Sequence, residues 1–303
     1  MKKSFLLLLV FLFTGVLANS QSVGINSTGD PPNSSAMLDV SSTTKGFLPP
    51  RMTTLQRNEI PSPAVGLMIY NTDEKIINVF NGTSWALLNP VVCGQTFSDP
   101  RDGKIYSTEQ IGSQCWMAQN LNVGTSINGS VDQTNNSPTP IIEKYCYDNI
   151  EANCDVYGGL YQWDEMMQYS ETPGKQGICP PYWHLPTDAE WCTLTTFIDA
   201  TVNCSIAGDL GTDAGGNMKE AGTTHWISPN TGATNSSGFT ALPGGFCPSG
   251  NFFTFLGNES NFWTSTEYSA TNAWYRRLKY TQATINRNIS SSDYGFSVRC
   301  IMD

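Results

Sequence analysis

The sequence predicts an α+β fold, in which a disulfide-stapled domain follows a short β-rich segment that gains its stability by assembly. Three observations carry that reading. All nine cysteines lie at or beyond Cys93, so cysteine usage itself marks a boundary. The stretch before Cys93 alternates short apolar runs with turn signals and holds few large apolar groups. Beyond it, one strong helix start, Thr187-Asp-Ala-Glu190, stands among segments that read as strands and turns.

The elements follow in chain order. Lys2 and Lys3 precede an almost wholly apolar run, Phe5 to Leu17, and small and polar residues follow at Ala18, Asn19, Ser20 and Gln21. That pattern is a secretory signal peptide over residues 1–20, with cleavage expected after Ala18 or Ser20. The run is shorter than the roughly 20 apolar residues a spanning helix needs. No second run is long enough to span a membrane, and no cysteine near the junction would carry a lipid anchor. The mature chain is expected to be secreted, extracellular or on the cell surface.

Residues 21–92 read as a β-rich collar or stalk. Ala36-Met-Leu-Asp-Val40, Gly66-Leu-Met-Ile-Tyr70 and Ile76-Ile-Asn-Val-Phe80 are its apolar runs. Asn71-Thr-Asp-Glu is a turn, and Asn81-Gly82 is a hairpin signal. Trp85-Ala-Leu-Leu closes the unit, while Pro49-Pro50 and Pro61-Ser-Pro63 argue against a helix. About 70 such residues bury little core alone, so a homo-oligomer, a trimer above all, is expected.

Residues 93–303 form the second unit. Asp102 to Tyr106 and Ile111 to Leu121 read as a hairpin running into an aromatic core segment, and Asn, Ser and Thr crowd a loop over 122–142. A short helix is expected near Asp164–Tyr169. Thr187 opens a longer one through Trp191–Ile198, with Trp191, Leu194 and Phe197 at helical spacing. After residue 230 the chain reads as turns and strands. Nine cysteines in an exported chain read as a disulfide framework with one thiol over. Cys146 with Cys154, and Cys192 with Cys204, enclose short loops, and Cys93 with Cys115 would staple a hairpin. A loop of about 15 residues stabilises by roughly 3 kcal/mol. Spacing alone leaves other pairings open. Zinc is the competing use, but tight C-x-x-C pairs are lacking and only His184 and His225 could assist.

Two stretches carry family resemblances. Leu38 to Thr54, with Gln56-Arg-Asn and Ala64 to Thr72, resembles the N-terminal region of secreted proteins of Bacteroidetes-type bacteria and the collar segments of phage tail fibres, which are commonly trimeric. Gly177-Ile-Cys-Pro-Pro-Tyr-Trp-His-Leu-Pro-Thr-Asp-Ala-Glu-Trp191, Asn235-Ser-Ser-Gly-Phe-Thr-Ala-Leu-Pro-Gly-Gly245, Phe262-Trp-Thr-Ser-Thr-Glu267, Ala273-Trp-Tyr-Arg276 and Tyr294-Gly-Phe-Ser-Val-Arg-Cys300 resemble the Fibrobacter succinogenes major paralogous domain. Leu185 to Trp191 and Gly295 to Cys300 are also similar to signatures of formylglycine-generating-enzyme-type domains. That likeness implies a C-type-lectin-like fold: loop-rich, with a small twisted antiparallel sheet and a helix or two. It also implies a long-range bridge between Cys179 and Cys300, which leaves Cys247 unpaired.

Function is read from what the composition excludes and from the late strands. A net charge of −10 repels phosphate backbones, so nucleic acid is not an expected partner. Two histidines set among aromatic residues offer little material for a nucleophilic triad. The close reactive cysteine pair of formylglycine-generating enzymes has no counterpart here. Asp164, Glu165, Asp188, Glu190, Glu220, Glu259 and Glu267 could serve a glycosidase only if two of them met across a cleft. No enzyme activity is expected, a sulfatase-modifying or carbohydrate-active enzyme being the lesser alternative, and no cofactor is required. Calcium is admitted as an alternative because hard oxygen ligands suit it, although the Glu-Pro-Asn and Gln-Pro-Asp tripeptides of calcium-dependent lectins are absent. Trp116, Trp163, Trp183, Trp191, Trp263 and Trp274 read as core. Period-two alternation in Ala273 to Tyr280 places Trp274, Arg276 and Leu278 on the fold-holding face. Tyr275, Arg277 and Lys279 fall on the other, with Gln282, Thr284, Asn286 and Asn288 beside them. These seven are the expected contact residues for a glycan or protein ligand, since lectin-like proteins vary residues on this same late sheet. A structural subunit of an extracellular fibre is the alternative.

Overall fold

The computed structural model describes residues 22–88, 92–134, 141–248 and 252–303. The expected signal peptide lies outside them. Among the described residues no helix is long and apolar enough to cross a membrane. The chain is mostly β-structure, with a few short helices.

In the N-terminal unit, Val23–Ile25 pairs in parallel with Leu38–Val40. A four-stranded sheet follows, in the order Arg51–Met52, Met68–Asn71, Ile76–Phe80, Trp85–Leu87. The two turns read from the sequence are the two hairpin connections. Asn71 Oδ1 accepts from the amides of Asp73 and Glu74. Asn81 Oδ1 accepts from those of Thr83 and Ser84, and Gly82 takes a φ of 106° that a side chain would resist. One element corrects the sequence reading: a helix, Thr54–Asn58, sits between the proline pairs. Its signal was the capping box Thr53-x-x-Gln56, in which both reciprocal hydrogen bonds form.

The interior of this unit is polar. Ile69 is 1% exposed, but Asn71 and Asn78 are fully buried beside it and Arg57 nearly so. Arg57 Nη1 donates to Asn78 Oδ1 at 2.7 Å and to Glu74 Oε1 at 3.0 Å. Asn78 Nδ2 donates to Tyr182 Oη at 3.0 Å, which ties the unit to the second one. Meanwhile Val23, Ile25, Met37, Leu38, Phe47 and Leu48 are 52–74% exposed.

The second unit is built on two sheets. One has the strand order Trp183–His184, Ile301–Met302, Gln114–Met117, Ile105–Ile111, Thr96–Ser98. The other runs Gly208–Leu210, Ile285–Ser291, Asn272–Lys279, Glu259–Ser269, Gly244–Phe246, Thr254–Leu256. Four disulfides staple the unit: Cys93–Cys115, Cys146–Cys154, Cys179–Cys300 and Cys192–Cys204. Cys247 is a buried free thiol whose pKa burial pushes up to about 11, so it is protonated and inert at neutral pH.

The long strands of the second sheet have a core on each face. Tyr161, Trp163, Trp263, Tyr275 and Phe296 belong to one apolar cluster. Trp116, Trp191, Trp226, Phe239, Phe262 and Leu278 belong to the other. Successive residues such as Phe262 and Trp263 thus point into different cores. Two family motifs explain themselves here. Arg299, fully buried, donates to Asn120 Oδ1 and to the carbonyls of Met117, Phe239 and Thr240. It joins the last strand motif to the Asn235–Gly245 segment.

The main helix, Asp188–Ile198, starts at Thr187 with a complete capping box to Glu190. Trp191 and Leu194 are buried, but Phe197 is 66% exposed and Thr195 takes the third buried place. At 100° per residue, position i+6 has turned off the stripe that i, i+3 and i+4 define. The short helix expected near Asp164–Tyr169 is Trp163–Met166.

His184 closes the structure. Its ring nitrogens lie 2.8 Å from Glu190 Oε1 and 2.7 Å from Asp303 Oδ1. The Glu190 hydrogen bond raises its pKa; burial opposes and Asp303 adds to the rise. A folded pKa above the unfolded value means stability that is complete below about pH 6.5 and is lost as pH rises through the folded value. We therefore expect unfolding free energy to fall more steeply as pH rises above about 6.5 in the wild type than in His184→Gln. Parallel profiles from urea titrations would show that the imidazolium contributes nothing.

Candidate ligand-binding face

The contact face expected from the sequence is set by strand register. Cross-strand partners share a face. Tyr275 stands opposite Trp263 and Asn288, Arg277 opposite Asn261 and Asn286, and Lys279 opposite Glu259. Asn286 stands opposite Asp209 on the short Gly208–Leu210 strand. A polar row, Asp209–Asn286–Arg277–Asn261, therefore crosses four strands, and Lys279 and Glu259 lie next along it. Asp209 and Asn261 were missed in the sequence, and Glu259 was read only as a candidate carboxylate, because only long-range pairing brings them here.

Two of the seven expected contact residues are corrected. Tyr275 is 7% exposed, with its ring 5.0 Å from Phe296 and 6.4 Å from Trp263. It is core. Asn286 is 7% exposed, and its Nδ2 donates to Asp209 Oδ1 at 2.7 Å. Alternation assigns a residue to a face; it cannot say whether another layer covers that face. Arg277, Lys279, Gln282, Thr284 and Asn288 are half-buried and keep part of their surface open. On the opposite face the expected core residue Trp274 is only half-buried, with the Arg287 guanidinium 3.5 Å over its ring and the exposed Tyr268 edge-on. The other five tryptophans expected in the core are buried.

The electrostatics of the face are uneven. Gln282 Nε2 donates to Asp209 Oδ2 at 3.0 Å, so Asp209 is occupied by two amides. Beneath the turn that carries Gln282 lies Lys219, fully buried, whose Nζ donates to the carbonyls of Thr231, Lys279 and Gln282 at 2.8–2.9 Å. Burial pushes its pKa down to about 8, which leaves it protonated at neutral pH with each proton on a carbonyl. By contrast, Asn261 Nδ2, Arg277 Nε, Thr284 Oγ1 and Asn286 Oδ1 are buried without a hydrogen-bond partner.

The chain matches the Fibrobacter succinogenes major domain over residues 110–302, well over half its length. It belongs to that family. Residues 24–102 match a phage-tail-like trimerisation region. No curated protein and no solved structure matches the chain.

Within this family member, four of the seven candidate carboxylates are engaged locally. Glu190 holds His184, Glu220 holds His225 at 2.9 Å, and buried Glu165 accepts from the Tyr169 hydroxyl. Asp188 is bound to Arg276 and Arg287. Among the described residues, no three His, Cys, Asp or Glu side chains gather into a metal-binding set.

The corrected burial separates covered from open residues on this face. Tyr275→Ala should cost roughly 3 kcal/mol, as loss of a buried aromatic does. Gln282→Ala, on the open part of the face, should stay within about 0.5 kcal/mol of wild type. Equal losses in chemical denaturation would contradict the assignment of covered and open residues.

Proposed function

We propose that the mature chain is a secreted or cell-surface binding and adhesion protein without enzymatic activity. An oligomeric base, most simply a trimer, displays the stapled domain. The sheet face around Arg277, with Lys279, Gln282, Thr284 and Asn288, contacts a glycan or protein ligand. The observation that carries this reading is the polar row itself. Each buried polar group left without a partner costs roughly 1–3 kcal/mol, so a face serving the fold alone would be better filled by apolar side chains. Three such atoms, on Asn261, Arg277 and Asn286, sit on this face, and a fourth, Thr284 Oγ1, lies in the adjoining turn.

Two further observations support the reading. The resemblance of Leu185 to Trp191 and Gly295 to Cys300 to C-type-lectin-like domains suggests the same late sheet as a contact surface. The trimerisation-region match, together with the polar interior and exposed apolar residues of the N-terminal unit, favours a multivalent arrangement. Linking weak sites raises avidity without any new contact. Those same exposed residues favour a second reading, in which the chain is a structural subunit of an extracellular fibre.

Light scattering of the mature, oxidised chain should give a trimer, and a monomer well above micromolar concentration would remove the multivalent base. Glycan- and protein-array binding should then be weakened by the paired Lys279→Ala and Gln282→Ala changes at unchanged melting temperature. Arrays without any ligand, and recovery of the chain as a stoichiometric component of purified filaments, would favour the fibre reading instead.

A further inference from the structure

Six of the seven arginines are wholly or partly buried. Five of these six have acceptors. Arg57 is held by Glu74, Arg101 by Asp99, and Arg276 and Arg287 by Asp188. Arg299 has the four acceptors described above. Among the described residues, Arg277 alone of the six has no acceptor: its Nε is buried and unpartnered, and no carboxylate lies within ion-pairing distance. Asp209, in its row, is occupied by two amides, and Glu259, next along the same face, makes no ion pair with Arg277. A half-buried guanidinium attracts an anion more strongly than an exposed one, because the surrounding protein weakens solvent screening. It also offers the planar fork that fits a carboxylate.

The groups around Arg277 narrow the class of ligand. Gln282 and Asn288, half-buried with part of their surface open, put amides on the same face, while Asn261 and Asn286 lie buried beneath it. Open amides beside one unpaired cation match the chemistry of a sugar that bears both hydroxyls and a carboxylate. A peptide strand is disfavoured. The three strands that carry the row's centre lie inside the six-stranded sheet, so no free edge is offered there for main-chain pairing. We propose that Arg277 is the carboxylate-binding residue of a site for acidic saccharides, a proposal that rests on the reading of this face as the contact surface. The chain's charge of −10 opposes a polyanion only at long range, since screening limits exposed charges to about 8 Å at physiological ionic strength.

The test measures capture of the oxidised mature chain on immobilised polygalacturonate, alginate and polysialic acid. Methyl-esterified polygalacturonate, dextran and polyglutamate serve as contrasts. At least one acidic saccharide should be bound, and Arg277→Gln should weaken it by about tenfold or more, the size of a lost charge-assisted hydrogen bond. Arg277→Lys should recover part of that loss, and melting temperatures should match wild type. Equal capture by Arg277→Gln, preference for polyglutamate, or no capture of any acidic saccharide overturns the proposal. If dextran or the methyl ester is bound as well as the acid and Gln282→Ala abolishes it, the face binds sugar and the charge assignment fails. If Lys279→Ala, Gln282→Ala and Arg277→Gln all bind as wild type, the face itself is wrong.

Discussion

The carboxylate of Asp188 is the constraint on which the second sheet depends. Arg276 and Arg287 stand directly opposite each other on adjacent strands, an arrangement of like charges that destabilises a sheet when left alone. Asp188, in the first turn of the main helix, reaches both. It lies 2.7 Å from Arg276 Nη1, and it takes Arg287 in a bidentate pair through Nε and Nη2. Burial would raise the Asp188 pKa, but the Arg287 hydrogen bonds and the Arg276 charge override it and hold the carboxyl below its usual range. Burial pushes Arg276 down to about 10, so it is still charged at neutral pH. The helix start is fastened to the same sheet by the Asp188 amide on Thr266 Oγ1 and the Ser265 hydroxyl on the Leu185 carbonyl.

This clamp links the family motifs to the candidate site. Thr187-Asp-Ala-Glu190 and Ala273-Trp-Tyr-Arg276 lie far apart in sequence, and Asp188 and Arg276 are where they meet. Fixing Arg276 and Arg287 on the covered face fixes Arg277 and Asn286 on the other, since neighbours along a strand alternate. The open, unpartnered guanidinium and the fully buried, paired one are consecutive residues. One sequence step separates the part of the sheet that holds the fold from the part proposed to meet a ligand.

Much of this was legible, and the failures share a cause. The capping box at Thr187, the Asn71 and Asn81 turns and the short-loop cysteine pairs are local chemistry, which sequence spacing encodes. Of the seven expected contact residues, Tyr275, Arg277, Lys279, Asn286 and Asn288 lie on the two late strands and share a face by register, while Gln282 and Thr284 lie in the turn between them. Burial was not legible, because Tyr275 is covered by Phe296 and Trp263 from distant segments. Asp209 and Asn261 were invisible for the same reason. So was the double role of Asp188, which reads as a capping-region residue but acts as a counter-ion. In the N-terminal unit the capping box at Thr53 was available and outweighed by its flanking prolines. That Arg57, Asn71 and Asn78 form an interior no periodicity could show.

The most direct test of the account is the stability of Asp188→Ala, measured by urea denaturation of the oxidised mature chain. Removing one partner of a buried ion cluster leaves two guanidinium groups uncompensated, so the loss should be roughly 3–5 kcal/mol. A loss of only about 0.3–1 kcal/mol would mean that Asp188 acts merely as a favourable charge at a helix start, and the clamp would not be what holds helix and sheet together.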